Sequence, residues 1–503
     1  MPNSHILPHR QHLRLSELRS WLETSASQNT AEDLERIRQS LREIEDMDLP
    51  VALRTEMLGR LYARCFLVSE SLRPSLVATP LPIPRKLRPT IRAIQDTLRN
   101  LAEALIDLSK VIGSLDDDTA LHPGSHTELV LWQVLHVLSR HLFIGSLTAS
   151  PPAAGIWRLL HETYTAARLR SLTNQTPEGT SRSLQDVYYA AVLLGCTQPT
   201  SFTSAEVDFL EAYIERFSNQ IDSNRSPPGA TPLMFWIDPA RDAPATPCTR
   251  KPPPPETPVR FFSCSQLVAL LSEQLASLEA GASPEELCLP AFAATPAGKG
   301  VLRRLINFWG NPGKRRFPRR RQNYRGELCI GFNNLCRLYR TPPQNVETSD
   351  WIITNESPDG YSVMHASGRI GAIAVGDVAS LKTETGDNWQ VCIIRWAVSE
   401  NPEHLELGLQ VLSAQAFTAD IAFQRGDDRK TSQPALVLPA TPALRPEDAL
   451  VVPSGLLASH LKNIVLVEEK NNIEVREINT GQCDEQNGRI EIFEILTEPN
   501  EEQ

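Results

Sequence analysis

A chain of 503 residues exceeds one ordinary domain, and at roughly 100–200 residues per domain it should divide into two to four. Hydrophobic residues at 41% and charged residues at 22% exclude wholesale disorder and fibrous repeats, while 39 prolines, about 7.8% against a usual value of roughly 5%, predict rigid punctuation. Fifty basic against 60 acidic residues leave a net charge of −10, which argues against an overall electrostatic footprint for nucleic acid or anionic membrane, so any anion site must be local.

The N-terminus, Met1 to Leu22, has no apolar core of the kind a signal peptide needs. From about Leu13 to Gln220 the apolar residues recur at three and four, as in Leu98, Leu101, Leu105 and Leu108, with breaks at Pro80–Pro84, Asp116–Gly124, Ser150–Pro152 and Thr176–Gly179. That spacing predicts a helical bundle or irregular solenoid over 1–224, and no fixed-period repeat supports a named solenoid class. The most apolar stretch, Leu129–Thr148, carries His136, Arg140 and His141, too many polar groups for a lipid-facing span. No membrane span and a cytoplasmic location are expected. Nine scattered cysteines without a CxxC pair read as free, mostly buried thiols, and the sequons at Asn174 and Asn355 match glycosylation sites in spelling only.

Eleven prolines lie between Arg225 and Arg260, interrupted by Leu233-Met234-Phe235-Trp236-Ile237. We expect an extended, proline-rich linker over 225–260 with the apolar island docked as a short strand. A helical connector follows over 261–312, with Ser283-Pro284-Glu285-Glu286 spelling a helix start. From Glu327 the period changes to two. Runs at Glu327–Phe332, Trp351–Thr354, Tyr361–His365, Asp377–Leu381, Trp389–Val398 and Leu405–Leu412 predict a six-stranded antiparallel β-barrel over 313–420. Further strands at Ala435–Leu438, Ile464–Glu468, Ile473–Ile478 and Arg489–Ile495 predict a small β-rich module over 434–497. The fold class is therefore α+β and multidomain.

Immediately before the first barrel strand, Lys314 to Arg325 holds seven basic residues and no acid, six of the seven being arginine. A solvated linker or a nucleic-acid patch is the plain reading of such a run. Guanidinium, however, offers forked donors that suit phosphate and the guanine Hoogsteen edge, and it stacks on bases as ammonium does not. One strand later comes Asn355-Glu356-Ser357-Pro358-Asp359-Gly360, whose residue types make a tight turn, with glycine supplying positive φ at the reversal.

Arg321-Gln322-Asn323-Tyr324-Arg325, with Arg320 ahead of it, resembles the RxxxR motif of PilZ domains, and Asn355, Ser357 and Gly360 resemble their D/N-x-S-x-x-G motif. Val375-Gly376-Asp377-Val378, Ile393-Ile394-Arg395-Trp396 and Leu407-Gly408-Leu409-Gln410-Val411 resemble further strands of that family. The resemblance covers about Lys314 to Phe417 and implies a PilZ-type barrel that binds cyclic di-GMP. It implies Arg321 and Arg325 on phosphates and guanine edges, Arg320 as a third contact, Asn355 and Ser357 on a guanine base, and Gly360 at the turn. Arg315 with Arg319 and Arg316 with Arg320 also satisfy RxxxR, so the register stays open. The stretch 333–350, including Leu335 to Arg340, lengthens the segment between the motifs and reads as a helical insertion that supports or covers the pocket.

Other motifs carry less. Glu103-Ala104-Leu105 spells the signature of cyclic di-GMP phosphodiesterases without the further acidic ligands such enzymes need, Gly298-Lys299-Gly300 lacks the rest of a phosphate loop, and His161-Glu162 lacks a second histidine for zinc. Asp116-Asp117-Asp118 reads as a solvated loop, and no Ser or Cys has a nucleophile signature. The expectation is a receptor or adaptor, not an enzyme and without cofactor or metal, that transmits cyclic di-GMP binding to a protein partner through the helical region. The alternatives are a nucleic-acid-binding protein using 314–325 and a ligand-independent scaffold.

Overall fold

The computed structural model describes residues 9–24, 29–116, 125–223, 233–313, 317–340, 344–401, 404–424, 430–441, 445–457, 461, 464–469 and 473–496. The three- and four-residue spacing folds as helix: α1 (His9–Glu23), α2 (Thr30–Glu45), α3 (Val51–Val77), α4 (Arg88–Asp116), α5 (Ser125–Leu147), α6 (Ile156–Leu169), α7 (Leu184–Cys196) and α8 (Ser204–Phe217). Capping residues set the starts. The Asn29 side chain accepts from the Ala31 amide at α2, and at α7 Ser183 and Asp186 cap each other's backbone reciprocally. On α2 the buried Leu34, Ile37, Leu41 and Ile44 form the inward stripe.

Two compact units result: Met1–Thr79, Ile83–Pro199 and Leu210–Leu267 form the first, and Pro80–Pro82, Thr200–Phe209 and Val268–Gln503 the second. In the first unit α5 packs against α3, α4, α6 and α7. Among the described residues one helical stretch, Thr127–Leu147, is long and apolar enough to cross a membrane by length and composition, and 78% of its most apolar stretch is buried inside the protein. Its polar groups are answered by neighbours. His136 Nδ1 lies 2.8 Å from the Tyr62 hydroxyl, and Arg140 pairs with Glu70 and Glu211. Burial pushes the His136 and His141 pKa values down to about 4, so both rings are packed in the neutral form at pH 7. His161 is likewise buried, held between the Tyr188 hydroxyl and the Ala243 carbonyl. Glu103 of the phosphodiesterase-like tripeptide pairs with Arg99 one helical turn away.

The apolar island forms β1 (Met234–Ile237), fully buried between β2 (Thr246–Pro247) and β3 (Arg260–Ser263) in a three-stranded antiparallel sheet. Its proline-rich flank, expected as extended chain, folds back in turns where it is described. In one, Pro239 follows Asp238, whose side chain accepts from the Ala240 amide while its carbonyl accepts from Arg241; proline at the second position pre-sets such a turn. Residues 224–232 lie outside the described residues.

α9 (Ser265–Glu279) and α10 (Pro296–Gly310) follow. Ser283 to Glu286, expected as a helix start, makes capping bonds at 3.4 Å but only a turn, because Cys288 adopts φ 57° and Pro290 closes the segment. The helix starts instead at Thr295, whose hydroxyl accepts from Gly298 with Pro296 in the first turn. Gly298 and Gly300 serve packing: a Cβ at Gly300 would lie 2.3 Å from the Gln486 carbonyl oxygen.

The remainder of the second unit is two closed six-stranded antiparallel barrels. The first contains β4 (Arg320–Ile330), a short helix α11 (Phe332–Leu338), β5 (Ser349–Ser357), β6 (Gly360–Ser367), β7 (Val378–Thr383), β8 (Gln390–Asn401) and β9 (His404–Ser413), in the order β4-β5-β6-β9-β8-β7. The second contains β10 (Phe417–Gln424), β11 (Lys430–Leu438), β12 (Ala449–Pro453), β13 (Ile464–Glu469), β14 (Ile473–Gln486) and β15 (Ile490–Leu496), in the order β10-β11-β12-β15-β14-β13. The further β module is thus a full barrel with its own core, including Ile421, Leu450, Leu466 and Phe493. A second cluster joins the barrels, with Val378, Val391 and Ile393 packed among Leu436, Val451 and Ile492. All nine cysteines are free, and no group of three or more potential ligands is arranged for a metal among the described residues.

Candidate functional site

β4 opens with the arginines. Arg320 and Arg321 are the first two residues of that strand, not a loop ahead of it, and Arg325 lies within it. The segment forms a strand because its backbone pairs with β5: Arg320 is opposite Glu356, Arg321 opposite Asn355 and Arg325 opposite Ile352. The two sequence motifs therefore sit on neighbouring rungs, where Cα atoms are roughly 4.5–5.5 Å apart. A bulge between Arg321 and Tyr324 places the partners of Arg321 and Arg325 three residues apart, although the arginines are four apart. Bulges re-aim side chains, so linear spacing alone does not say which arginines share a face. Arg320, Arg321 and Arg325 are exposed. Arg319 directs Nη1 to Ser362 Oγ at 3.5 Å, while Lys314, Arg315 and Arg316 of the same run lie outside the described residues.

The second motif is the β5–β6 hairpin. Ser357 and Gly360 are paired across a two-residue turn, Pro358-Asp359. The Ser357 hydroxyl is buried and meets Asp359 Oδ1 at 2.7 Å and the Gly360 carbonyl at 3.1 Å, which ties the turn together and leaves the oxygen's lone pairs as acceptors. Gly360 is not required by positive φ. It is required by close approach, since a Cβ there would lie 2.2 Å from the Leu409 carbonyl oxygen on β9. The Asp359 carbonyl accepts from Val411 at 3.0 Å, so β9 fixes the hairpin from its other side.

Residues outside the linear motifs complete the surroundings. Glu356 Oε2 accepts from Gln322 Nε2 and from the Tyr324 hydroxyl, both at 3.1 Å. Burial, then the Glu356 charge and hydrogen bond, hold the Tyr324 phenol above its ordinary range, so it remains a donor at neutral pH. The glutamate is the unspecified residue between Asn355 and Ser357 in the second motif, to which the motif assigns no role. Arg395 donates from Nε to Gln410 at 2.6 Å, and Gln410 is the cross-strand partner of Gly360. The sequence places Gln410 only within a strand that resembles the family's, because its role beside Gly360 comes from β9 returning beside β6. α11 occupies the lengthened segment between β4 and β5 and packs into the cluster between the barrels through Leu335 and Cys336. The candidate site thus offers exposed forked cations beside a rigid edge with an amide, a hydroxyl and two carboxylates, Glu356 and Asp359.

Comparison with known proteins gives one family in two places. Residues 16–226 match the model of the cyclic-di-GMP receptor FimW N-terminal domain, and residues 339–417 match that of the FimW middle PilZ domain. The second match takes in Asn355, Ser357 and Gly360 and begins after the arginines. The cyclic-di-GMP receptor FimW of Pseudomonas aeruginosa is 20% identical over 526 residues, covering 87% of this chain and 83% of its own length. A solved structure of the Bacillus subtilis inhibitor of motility, MotI/DgrA, covers 36% of this chain and 90% of that one, with 10% identity and a TM-score of 0.13, which adds nothing to the fold assignment. With both family models matching in order along one chain, the protein belongs to the PilZ-domain family of cyclic di-GMP receptors.

Proposed function

We propose that this chain is a cytoplasmic receptor that binds cyclic di-GMP at the first barrel without transforming it and passes the binding event to a protein partner through its helical region. Arg320, Arg321 and Arg325 hold phosphates and guanine edges, Asn355 and Ser357 address a guanine base, and Gly360 lets β9 close against the hairpin. The observation that carries the reading is the pairing of Arg321 with Asn355, which brings phosphate-seeking and base-reading groups onto adjacent strands. The ligand has two phosphates and two flat guanines. Guanidinium groups answer the phosphates with charge-assisted forks, and the hairpin edge discriminates the base.

β4, which carries the arginines, follows α10 in the chain, so a shift of that strand as its guanidinium groups engage a ligand bears on a helix whose Trp309 is fully buried. Such a switch operates only to the extent that the nucleotide prefers one arrangement. Isothermal titration of the full chain tests binding: saturable uptake should vanish in Arg321→Ala with Arg325→Ala and weaken in Ser357→Ala. Hydrogen exchange of residues 29–116 and 125–223 tests transmission, with nucleotide-dependent protection expected and an unchanged pattern favouring a scaffold that ignores the ligand. Steeply salt-dependent binding of oligonucleotides with indifference to the dinucleotide would overturn the receptor reading.

A further inference from the structure

The second barrel repeats the winding of the first. In β4-β5-β6-β9-β8-β7 and in β10-β11-β12-β15-β14-β13 the first three strands run in order, the last three return in reverse, and the fourth closes on the first. No sequence repeat announces this, yet identical order in consecutive closed barrels marks a duplicated architecture. The chemistry is not duplicated. The approach to β10, Ser413-Ala414-Gln415-Ala416, and β10 itself hold no arginine, and the next two arginines, Arg425 and Arg429, follow the strand's far end in sequence. The connection equivalent to the Pro358-Asp359 turn is 439–448, without an N-x-S-x-x-G string. Its arginine, Arg445, spends its guanidinium on the carbonyls of Leu438, Pro439 and Glu447.

What the second barrel does make is a set of polar clamps on the first. Buried Asn487 donates to the Gly376 carbonyl at 3.3 Å while its Oδ1 accepts from Arg489 and Ile490, and Arg489 approaches Asp377 at 3.5 Å. Arg395 of β8 reaches both ways: Nη1 to Glu485 of β14 at 2.8 Å and Nε to Gln410 at 2.6 Å. Gln410 is the rung opposite Gly360, and its neighbour Val411 holds the Asp359 carbonyl. The guanidinium thus ties the hairpin's supporting strand to the neighbouring barrel.

We propose that the C-terminal barrel is a second copy of the same fold that holds no nucleotide of its own and positions the candidate site of the first barrel through the Glu485–Arg395–Gln410 bridge. This rests on the receptor reading and gives Arg395 a positioning role.

The test is titration of the full chain with cyclic di-GMP at fixed ionic strength in the wild type, Glu485→Gln, Arg395→Gln and the double variant. Removing an acid near an anion site by charge alone strengthens binding of a dianion. Positioning predicts the opposite, a weakening of about tenfold for Glu485→Gln, with the double variant no weaker than Arg395→Gln because the residues act as one unit. Unchanged or tighter binding by Glu485→Gln, or additive losses, would overturn the role. Residual saturable binding in Arg321→Ala with Arg325→Ala, displaced by changes in β10–β12, would overturn the vacancy of the second barrel. A wild-type chain that takes up no cyclic di-GMP fails the receptor reading and removes the basis for positioning, whereas normal wild-type affinity with an indifferent Glu485→Gln fails the positioning alone.

Discussion

The two barrels share strand order and differ in their connections. In the first, the link from first to second strand carries α11 and the link from second to third is a two-residue turn, which places Asn355 beside Arg321. In the second, the link from second to third strand spans 439–448 and turns its arginine back onto its own carbonyls. Ladders and alternating interiors hold the architecture in both. The chemistry resides in which connection is tight and what charge it faces, so a shared winding does not imply a shared site.

Removing the cations should expose that difference most strongly. Arg321→Ala with Arg325→Ala should lower cyclic di-GMP affinity by about a hundredfold or more, since charge-assisted hydrogen bonds of ~1.5–3 kcal/mol are lost at two positions. Calorimetric titration reads the loss, and retention of wild-type affinity would erase the distinction between the barrels. Gly360→Val comes next. Its Cβ would collide with the Leu409 carbonyl, so β9 must shift, costing about 1–3 kcal/mol in urea unfolding and reducing affinity together. Stability that falls while affinity holds would separate the hairpin from the site.

Asn487→Ala sharpens the comparison from the other barrel. It leaves the Gly376 carbonyl and the Arg489 and Ile490 amides without their partner, a cost of about 1–3 kcal/mol, and should split one cooperative unfolding transition of the barrels into two. Arg445→Ala is the smallest. Nucleotide affinity should stay within error of wild type, and a fall of tenfold would show that the second barrel takes part in recognition.

Much of the architecture can be read from residue order. The strands of the first barrel carry β-branched or aromatic residues and most are bounded by Gly, Asn, Asp or Pro, although β9 runs through Ala414-Gln415-Ala416 into β10 without such a break, and the helical half repeats leucine at helical spacing. β10 escapes because Ala419, Asp420 and Ala422 interrupt the strand-favouring Phe417, Thr418 and Ile421 and the strand is held by pairing with β11 and β13, and β12 because five residues give little period. At the candidate site the sequence names the motif residues. It does not show that Arg320 and Arg321 join a ladder, that a bulge resets the spacing to Arg325, or that Gln410 backs Gly360, because each depends on a strand arriving from elsewhere in the chain.

Hydrogen exchange of the full chain with saturating cyclic di-GMP, read peptide by peptide across both barrels, decides whether the nucleotide is held by the first barrel alone. Slowed exchange is expected over 320–325 and 355–360, with 417–424 and 445–453 unchanged. Protection confined to the second barrel, or equal protection in both, would contradict that expectation.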